Sequence, residues 1–341
     1  VEPPGSGQDE DEGPPPPDDQ VYPDNVSFVS TLEDQSLLNP AYYADMVFKP
    51  WEGATFVPGV RVDQFGATSQ LSISPRLTAR QQLGAVTIKG GAGIFTQPPQ
   101  PLFTNPVFGD RDLLPEFSAQ YSLGAEWQLT EALMVDAEVF YRDMRRLVVQ
   151  DFEIFIRDDG TADFTLFSND GRGRAYGAEL LVKHDLRERV FGWLAYTLSR
   201  SERLNLRSKQ WDLYRNDQTH ILTLVGGYKF PRGFTLSSRL RLVSGFPFTP
   251  VVDSVYDVDA VRFEPVYGEP NSAREVFFRQ LDVRAEKEWT KQWGSIAAFL
   301  DVINATNARN VESSVYTYDW RQRREVTGFP FIPTLGVQAR W

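Results

Sequence analysis

The sequence has no cysteine, only two histidines and no long apolar run. The absence of cysteine among its 341 residues excludes a disulfide framework and any thiolate site. No stretch of about 18 apolar residues occurs, which excludes a membrane-spanning helix. The first residues also lack the basic and apolar regions of a signal peptide. We therefore expect an exported protein to be present here in mature form, or as a fragment.

Basic residues are absent from the first 48 positions, which carry 11 acidic residues. The remainder balances 35 acidic with 35 basic residues, so the net charge of −11 belongs to one end of the chain. Because no basic face exceeds its acidic surroundings, nucleic acid is excluded as a partner. Residues 1–39 are acidic and rich in proline, which predicts a flexible segment. This segment either captures a ligand or partner or is simply a solvated loop.

What the chain does contain is period-2 alternation, which is typical of strands with one apolar and one polar side. At its end, Leu335, Val337 and Ala339 alternate with polar or small residues up to Trp341. Most of the predicted strands suit a tilted strand crossing a bilayer, which needs roughly 9–11 residues. Thirteen strands are predicted, at about 41–48, 54–64, 69–81, 84–96, 115–129, 132–149, 172–185, 189–203, 214–230, 233–249, 275–289, 293–304 and 331–341.

The connections between these strands alternate in length. Short periplasmic turns and long extracellular loops are typical of an outer-membrane β-barrel, and a soluble sandwich has no reason to keep that order. The link at 65–68 breaks the alternation, because it is short where a long loop is due. Tight links lie at 49–53, 81–84, 129–132, 185–189, 229–233 and 290–293, and long ones at about 97–114, 150–171, 204–213, 250–274 and 305–330.

Tryptophans concentrate at the tight-turn ends of the predicted strands. Only Trp211 and Trp320, of eight tryptophans, lie in or beside long connections. Such a concentration predicts a girdle at one membrane–water interface, whereas core tryptophans would spread along the strands. The predicted girdle consists of Trp51, Trp127, Trp193, Trp289, Trp293 and Trp341.

Several segments, taken in order, resemble the TonB-dependent outer-membrane receptors. The resemblance covers residues from about 40 to 341, and the order of the motifs is more specific than any one of them. The segments are PWEGATFVPGVRVDQF, PEFSAQYSLGAEWQLTEALMVDAEVFYRDMRRLV, GRAYGAELLVKHDLRERVFGWLAYTLSRSE, NDQTHILTLVGGYKFPRGFTLSSRLRLVSGFPFTP, and RQLDVRAEKEW with FLDVINATNARN.

The resemblance implies an all-β fold, a 22-stranded transmembrane antiparallel barrel blocked by an N-terminal plug that contacts TonB. We find no plug in the sequence, and the thirteen predicted strands are nine fewer than the 22 of the family. Residues 40–341 would be the C-terminal part of the barrel, and residues 1–39 would begin inside an extracellular loop. Since unpaired edges are not tolerated in lipid, we expect a second chain or cleavage product to supply the remainder. Outer-membrane lipids, lipopolysaccharide and a surface protein are the other expected partners.

No catalytic constellation is found, and we expect neither an enzyme nor a bound cofactor. His184 and His220 fall at opposite ends of their strands, which argues against a shared metal site. The segment KGGAGIF has no following helix, so it does not predict a phosphate loop. Three aspartates of one long loop lack regular calcium-ligand spacing, namely Asp253, Asp257 and Asp259.

Ligand contacts are expected in the long loops and at the lumen mouth. Arg239, Arg241 and Arg284 would meet an anionic ligand, or alternatively pair with acids such as Asp282 and Glu286. Loop aromatic residues would grip a ligand or pack the loops, and these are Phe103, Phe108, Tyr256, Tyr267 and Tyr316.

The leading functional interpretation is an energised transporter for a bulky, scarce nutrient such as a siderophore, vitamin, glycan or peptide. Alternatives are a docking barrel that anchors a surface protein, to which the acidic segment gives weight, and a passive porin. A soluble β-rich protein is the least favoured interpretation.

Overall fold

The computed structural model describes residues 38–105, 109–156, 162–187 and 189–341. The predicted acidic segment 1–39 lies almost wholly outside these residues and stays a prediction. Within the described ranges, one turn of 3-10 helix, Pro231–Gly233, stands among twenty strands. No helix of the described part is long and apolar enough to cross a bilayer.

The strands follow one another along the whole described chain. In order they are β1 (Ala41–Asp45), β2 (Ala54–Phe65), β3 (Gln70–Leu83), β4 (Val86–Gln97), β5 (Glu116–Gln128), β6 (Leu133–Ile156), β7 (Ala162–Arg187), β8 (Val190–Leu204), β9 (Trp211–Leu213), β10 (His220–Phe230), β11 (Phe234–Val243), β12 (Pro247–Phe248), β13 (Val251–Asp257), β14 (Arg262–Tyr267), β15 (Ala273–Arg274), β16 (Phe278–Lys291), β17 (Gly294–Ile303), β18 (Val311–Tyr316), β19 (Arg323–Thr327) and β20 (Ile332–Arg340).

Thirteen of these strands form one continuous sheet in chain order, β1 to β8 and then β10, β11, β16, β17 and β20. Each is antiparallel to the next, and β9 extends the sheet beside the end of β8. The sheet is not closed, because β1 and β20 each have a single neighbour in the described part. The thirteen strands predicted from alternation are confirmed, and so is the all-β barrel-type fold.

The lengths of the connections also agree with the prediction. At one end of the sheet the strands are joined by tight turns, such as the two residues between β3 and β4. Gly53 and Gly84 have φ of 77° and 62° in such turns, a region that favours glycine. At the other end the connections are long, except for the short turn 66–69 that the sequence predicts.

The long connections contain structure that alternation does not predict. β6 and β7 continue well beyond their predicted ends, and their register shifts between Met144 and Leu147. Two small hairpins, β13 with β14 and β18 with β19, and a short antiparallel pair of β12 with β15 occupy the last two long connections. These parts need no apolar side toward lipid, so strict alternation is lost there.

The register places apolar and charged side chains on opposite faces of the sheet. Leu224, Leu240 and Leu281 are direct neighbours across β10, β11 and β16 and lie on what we call the apolar face. Arg239 and Asp282 are neighbours on what we call the charged face. Large apolar side chains remain exposed along the apolar face, as with Leu71, Leu123 and Leu335.

A packed interior is lacking in the described residues. Only six apolar residues are buried there, whereas a soluble domain of this size would bury many. The sheet is therefore a single wall whose apolar face requires an apolar solvent.

Two adjacent glycines test this assignment of the faces. A Cβ added to Gly227 would overlap the ring of Phe191 on the charged face, whereas one added to Gly226 would meet nothing within 4 Å. We expect Gly227→Val to lower the stability of the assembled barrel by about 1–3 kcal/mol, and Gly226→Val to change it little. The temperature at which each variant shifts from folded to unfolded mobility on a denaturing gel measures the two stabilities. Equal losses for the two variants would contradict the assignment.

Candidate ligand site at the mouth of the barrel

Two of the three predicted ligand-binding arginines are neutralised by carboxylates on the charged face. Arg239 donates from Nε to Asp282 Oδ2 at 2.9 Å. Arg284 donates from Nη1 to Asp301 at 2.8 Å and from Nη2 to Glu286 at 2.6 Å. Both arginines therefore take the pairing alternative that the sequence left open, and neither offers an uncompensated charge.

Arg241 is different, because it has no ion pair in the described part of the chain. Its guanidinium instead makes a cation–π contact, with the guanidinium carbon 5.6 Å from the centroid of the Phe278 ring. It lines a cavity of about 710 Å³ between the ends of β11, β16 and β17 and the long connections. A cavity of this volume suits a small ligand. Lining side chains include Arg241, Phe246, Glu275, Phe278, Gln280 and Glu312.

Glu275 supplies a carboxylate at the same cavity. One oxygen accepts from Arg323, which also donates to Ser314 Oγ at 2.7 Å and lies 4.1 Å above the ring of Phe248. The other oxygen, Oε2, is buried without a hydrogen-bond partner in the structure. The cavity thus combines one uncompensated cation with an acceptor that is still free to receive a hydrogen bond.

A buried ion pair fixes the rim of the cavity. Asp217 is 1% exposed and accepts from Arg274 Nη2 at 2.6 Å and from the Ser201 N–H at 2.7 Å. The next residue after each partner, Gln218 and Glu275, lines the cavity. The pair therefore ties the connection before β10 to the connection before β16. Sequence reasoning missed this pair, because its partners are far apart along the chain.

The two outermost hairpins hold each other through aromatic side chains. Tyr318 Oη donates to the Val261 carbonyl at 3.0 Å, and Trp320 Nε1 donates to the Phe263 carbonyl at 3.0 Å. The Phe263 and Tyr318 rings meet edge to face at 5.7 Å. The hairpins β13–β14 and β18–β19 therefore form one unit beside the cavity.

The turn of β18–β19 carries a stabilised carboxylate. The Thr317 hydroxyl and the Arg321 N–H donate to Asp319, and these hydrogen bonds lower the pKa of its carboxyl. The turn therefore keeps a negative charge at the outer end of the hairpin.

The predicted loop aromatics lie outside the lining of the cavity. Tyr256 packs on Phe263 and Tyr316 on Trp320, with ring centroids 5.0 and 5.3 Å apart. Tyr267 is 59% exposed at the end of β14. Phe103 packs on Phe167 in another connection, and Phe108 lies outside the described residues.

The two histidines lie at opposite ends of their strands. His220 Nδ1 is 2.8 Å from the Tyr196 hydroxyl, whereas His184 lies near the tight-turn end of β7. Among the described residues, no group of three His, Cys, Asp or Glu is arranged to hold a metal ion. Asp253 and Asp257 accept from backbone N–H groups of their own turns, and Asp259 donates such a bond.

Five of the six tryptophans predicted to form a girdle lie near the tight-turn end of the sheet and have exposed side chains. Trp127 and Trp289 lie on the apolar face, opposite Val86 and Ile296 respectively. The other three are Trp51 and Trp293, both 59% exposed in tight connections, and Trp341, which follows β20 and is 95% exposed.

Trp193 is the exception. Its cross-strand neighbours are Lys183 and Val225, which places it on the charged face. The sequence of β8 could have revealed this, because Leu194, Tyr196 and Leu198 are at even positions and lie on the apolar face, whereas Trp193 is at an odd position. The girdle stays a prediction, and Trp193 is the member that the register places away from the apolar face.

Disrupting the rim pair should loosen the connections without unfolding the wall. Asp217→Ala leaves Arg274 and a buried N–H without their acceptor, at a cost of about 1–3 kcal/mol. We expect limited proteolysis within residues 244–277 of the assembled receptor to accelerate about tenfold, with little change in heat stability. Asp259→Ala, at the exposed tip of β13–β14, serves as the control. Unchanged cleavage in Asp217→Ala would contradict the role of the pair.

Solved structures share this fold. The ferric-catecholate import receptor Fiu of E. coli K12 aligns with a TM-score of 0.61 at 15% identity, covering 89% of this chain and 44% of Fiu. The siderophore receptor PirA of Acinetobacter baumannii aligns with a TM-score of 0.62 at 13% identity, covering 89% and 46%. FpvA of P. aeruginosa, solved with a heterologous pyoverdine and iron, gives 0.61 at 13% identity, covering 88% and 38%. The chain spans less than half the length of these proteins.

Sequence comparison identifies the family directly. No curated protein matches the chain. The family model described as TonB dependent receptor-like, beta-barrel matches residues 6–311, which is most of the chain. Barrels of this family lie in the outer membrane. The resemblance seen in the motifs is thereby confirmed, and the chain belongs to the TonB-dependent receptor family as part of its outer-membrane β-barrel.

Proposed function

We propose that this chain forms the C-terminal part of the wall of an energised importer that takes up a bulky anionic metal chelate. Family membership makes the chain part of a transporter rather than an enzyme, as expected. The observation that carries the ligand class is Arg241, which lines the cavity of about 710 Å³ and has no ion pair among the described residues. Fiu, FpvA and FecA are described as receptors or transporters for ferric complexes, which supports the same class here.

The cavity chemistry fits such a ligand better than a neutral nutrient. A ferric chelate built on carboxylate or catecholate oxygens carries negative charge, which Arg241 would meet with charge-assisted hydrogen bonds. Phe246 and Phe278 add apolar and aromatic contact area beside it. An uncharged vitamin or glycan would be bulky enough but would leave Arg241 without a counter-charge.

The wall must be completed from outside these residues. β1 and β20 each present an edge that no described strand pairs with, and open edges are not tolerated in lipid. We propose that further strands and a plug close the barrel, and that the plug contacts TonB. A second chain or a cleavage product stays the sequence-based hypothesis for their source.

Orientation follows from the two ends of the sheet. We place the tight turns toward the periplasm and the long connections, with the acidic segment, outside the cell. The tryptophans at the tight-turn end, apart from Trp193, support an interfacial position for that end.

Replacement of the free arginine tests the ligand class. We expect Arg241→Gln to weaken binding of the cargo by roughly 10- to 100-fold, because a hydrogen-bonded charge contributes about 1.5–3 kcal/mol. Cells expressing the full receptor are given ⁵⁵Fe-labelled ferric citrate and a ferric catecholate, with and without an uncoupler. Arg324→Gln, on exposed β19, is the matched control. Uptake that survives the uncoupler would indicate a passive pore, and equal uptake by both variants would contradict the role of Arg241.

The composition of the purified receptor tests the completion of the barrel. Denaturing gels and intact mass should reveal this chain joined to, or co-migrating with, enough additional polypeptide for the missing strands and plug. A split or cleaved receptor predicts two species of comparable size. A detergent-stable barrel made of this chain alone would contradict the proposal.

A further inference from the structure

Three tyrosines mark the end of the apolar face at the long-connection side. Tyr121, Tyr141 and Tyr176 are direct cross-strand neighbours on β5, β6 and β7, and each is well exposed. The Tyr141 and Tyr176 rings stack with centroids 6.5 Å apart. Aromatic side chains with a polar tip favour the membrane–water boundary. The row therefore fixes the level at which lipid tails give way to headgroups.

Two arginines stand at and just beyond this row on the same face. Arg200 lies directly opposite Tyr176, and Arg174 lies directly opposite Glu202. Arg174 donates from Nε to Glu202 Oε2 at 2.5 Å, and Arg200 donates from Nε to Oε1 at 2.6 Å. The Glu202 side chain is 4% exposed, whereas those of Arg174 and Arg200 are 33% and 51% exposed. One buried carboxylate thus holds two guanidinium groups side by side at the surface.

Most of the donors of these arginines remain unused. Each arginine donates to Glu202 only from Nε, and the terminal Nη groups have no acceptor in the described part of the chain. Arg174 is also fixed from one side, because its guanidinium carbon lies 4.3 Å above the ring of Trp211. Two arginines against one carboxylate leave one excess positive charge. Paired guanidinium forks of this kind suit the geometry of phosphate.

The surroundings strengthen this positive charge. Arg145, 65% exposed, lies beyond Tyr141 on β6 and is paired with Asp143. Arg207 and Lys209 are exposed in the turn between β8 and β9. Three acids lie near these arginines, namely Glu202, Asp143 and Asp217, and each is already paired with an arginine.

We propose that Arg174 and Arg200 form a binding site for a phosphate group of lipid A, the phosphorylated and acylated glucosamine disaccharide that anchors lipopolysaccharide in the membrane. A lipid source is favoured over free phosphate because the arginines continue the lipid-facing apolar surface and lie at the tyrosine row. The site rests on the outer-membrane location of the family and not on the imported ligand. Its failure would therefore leave the import proposal untouched.

Native mass spectrometry of the detergent-purified full receptor tests the site. The probes are diphosphoryl, monophosphoryl and dephosphorylated lipid A, with inorganic phosphate as a competitor. We expect retention of diphosphoryl lipid A by the unaltered receptor and at least tenfold less of the dephosphorylated form. Arg174→Gln combined with Arg200→Gln should lower retention of the diphosphoryl form about tenfold.

Lys287→Gln is the matched control. Lys287 is a cation on the apolar face at the opposite end of the wall, within 4.4 Å of the Phe234 ring. Its replacement should leave lipid A retention unchanged. Equal retention of phosphorylated and dephosphorylated lipid A by the unaltered receptor would overturn the proposal without requiring any variant to fold. Equal loss in Lys287→Gln would indicate general electrostatic adhesion instead and would also overturn it.

Discussion

The structure depends on one constraint, which is that a backbone in lipid must have every N–H and C=O group paired. Within the wall this is met by an antiparallel ladder in which each of the thirteen strands bonds the next strand of the wall. β20 bonds β17 over nine residue pairs, from Ser295 with Arg340 to Ile303 with Ile332. Its other edge has no neighbour among the described strands, and Leu335 and Val337 are 82% and 75% exposed. The stability of this chain in a membrane is therefore inseparable from whatever strand completes its edges.

The same wall must also keep charges on its inner surface, and it does so by pairing them locally. Lys89 pairs with Asp136 and Glu138, Arg76 with Asp45, and Arg284 with Glu286 and Asp301. Such partly exposed pairs each contribute little to stability. These ion pairs cancel most of the electrostatic field at the inner surface, so that a cation without a partner dominates the electrostatic potential near it. Arg241 gains its significance from the pairing of its neighbours.

Much of the wall was predictable because its physics is local. Alternation and turn residues lie within each strand, and all thirteen strands follow from them. Trp193 shows where such reasoning needs care, since its parity within β8 places it on the charged face although its height suits a girdle. Which arginine lacks a partner depends on the register between β11 and β16, and a long connection separates these strands. The Asp217–Arg274 pair joins equally distant residues, so no local pattern reveals it.

The arginines of this wall fall into three groups, which differ in the face and the height at which they lie. On the charged face within the barrel, Arg239 and Arg284 are consumed by neighbouring carboxylates. At the mouth, Arg241 has no ion pair among the described residues, and Glu275 of the same cavity is paired with Arg323 instead. On the apolar face at and beyond the tyrosine row, Glu202 binds Arg174 and Arg200 through Nε only, and this leaves their Nη groups without an acceptor in the described part of the chain. Glu202 can neutralise only one arginine but binds both Arg174 and Arg200. The remaining positive charge lies at the level where an anionic lipid phosphate would contact it.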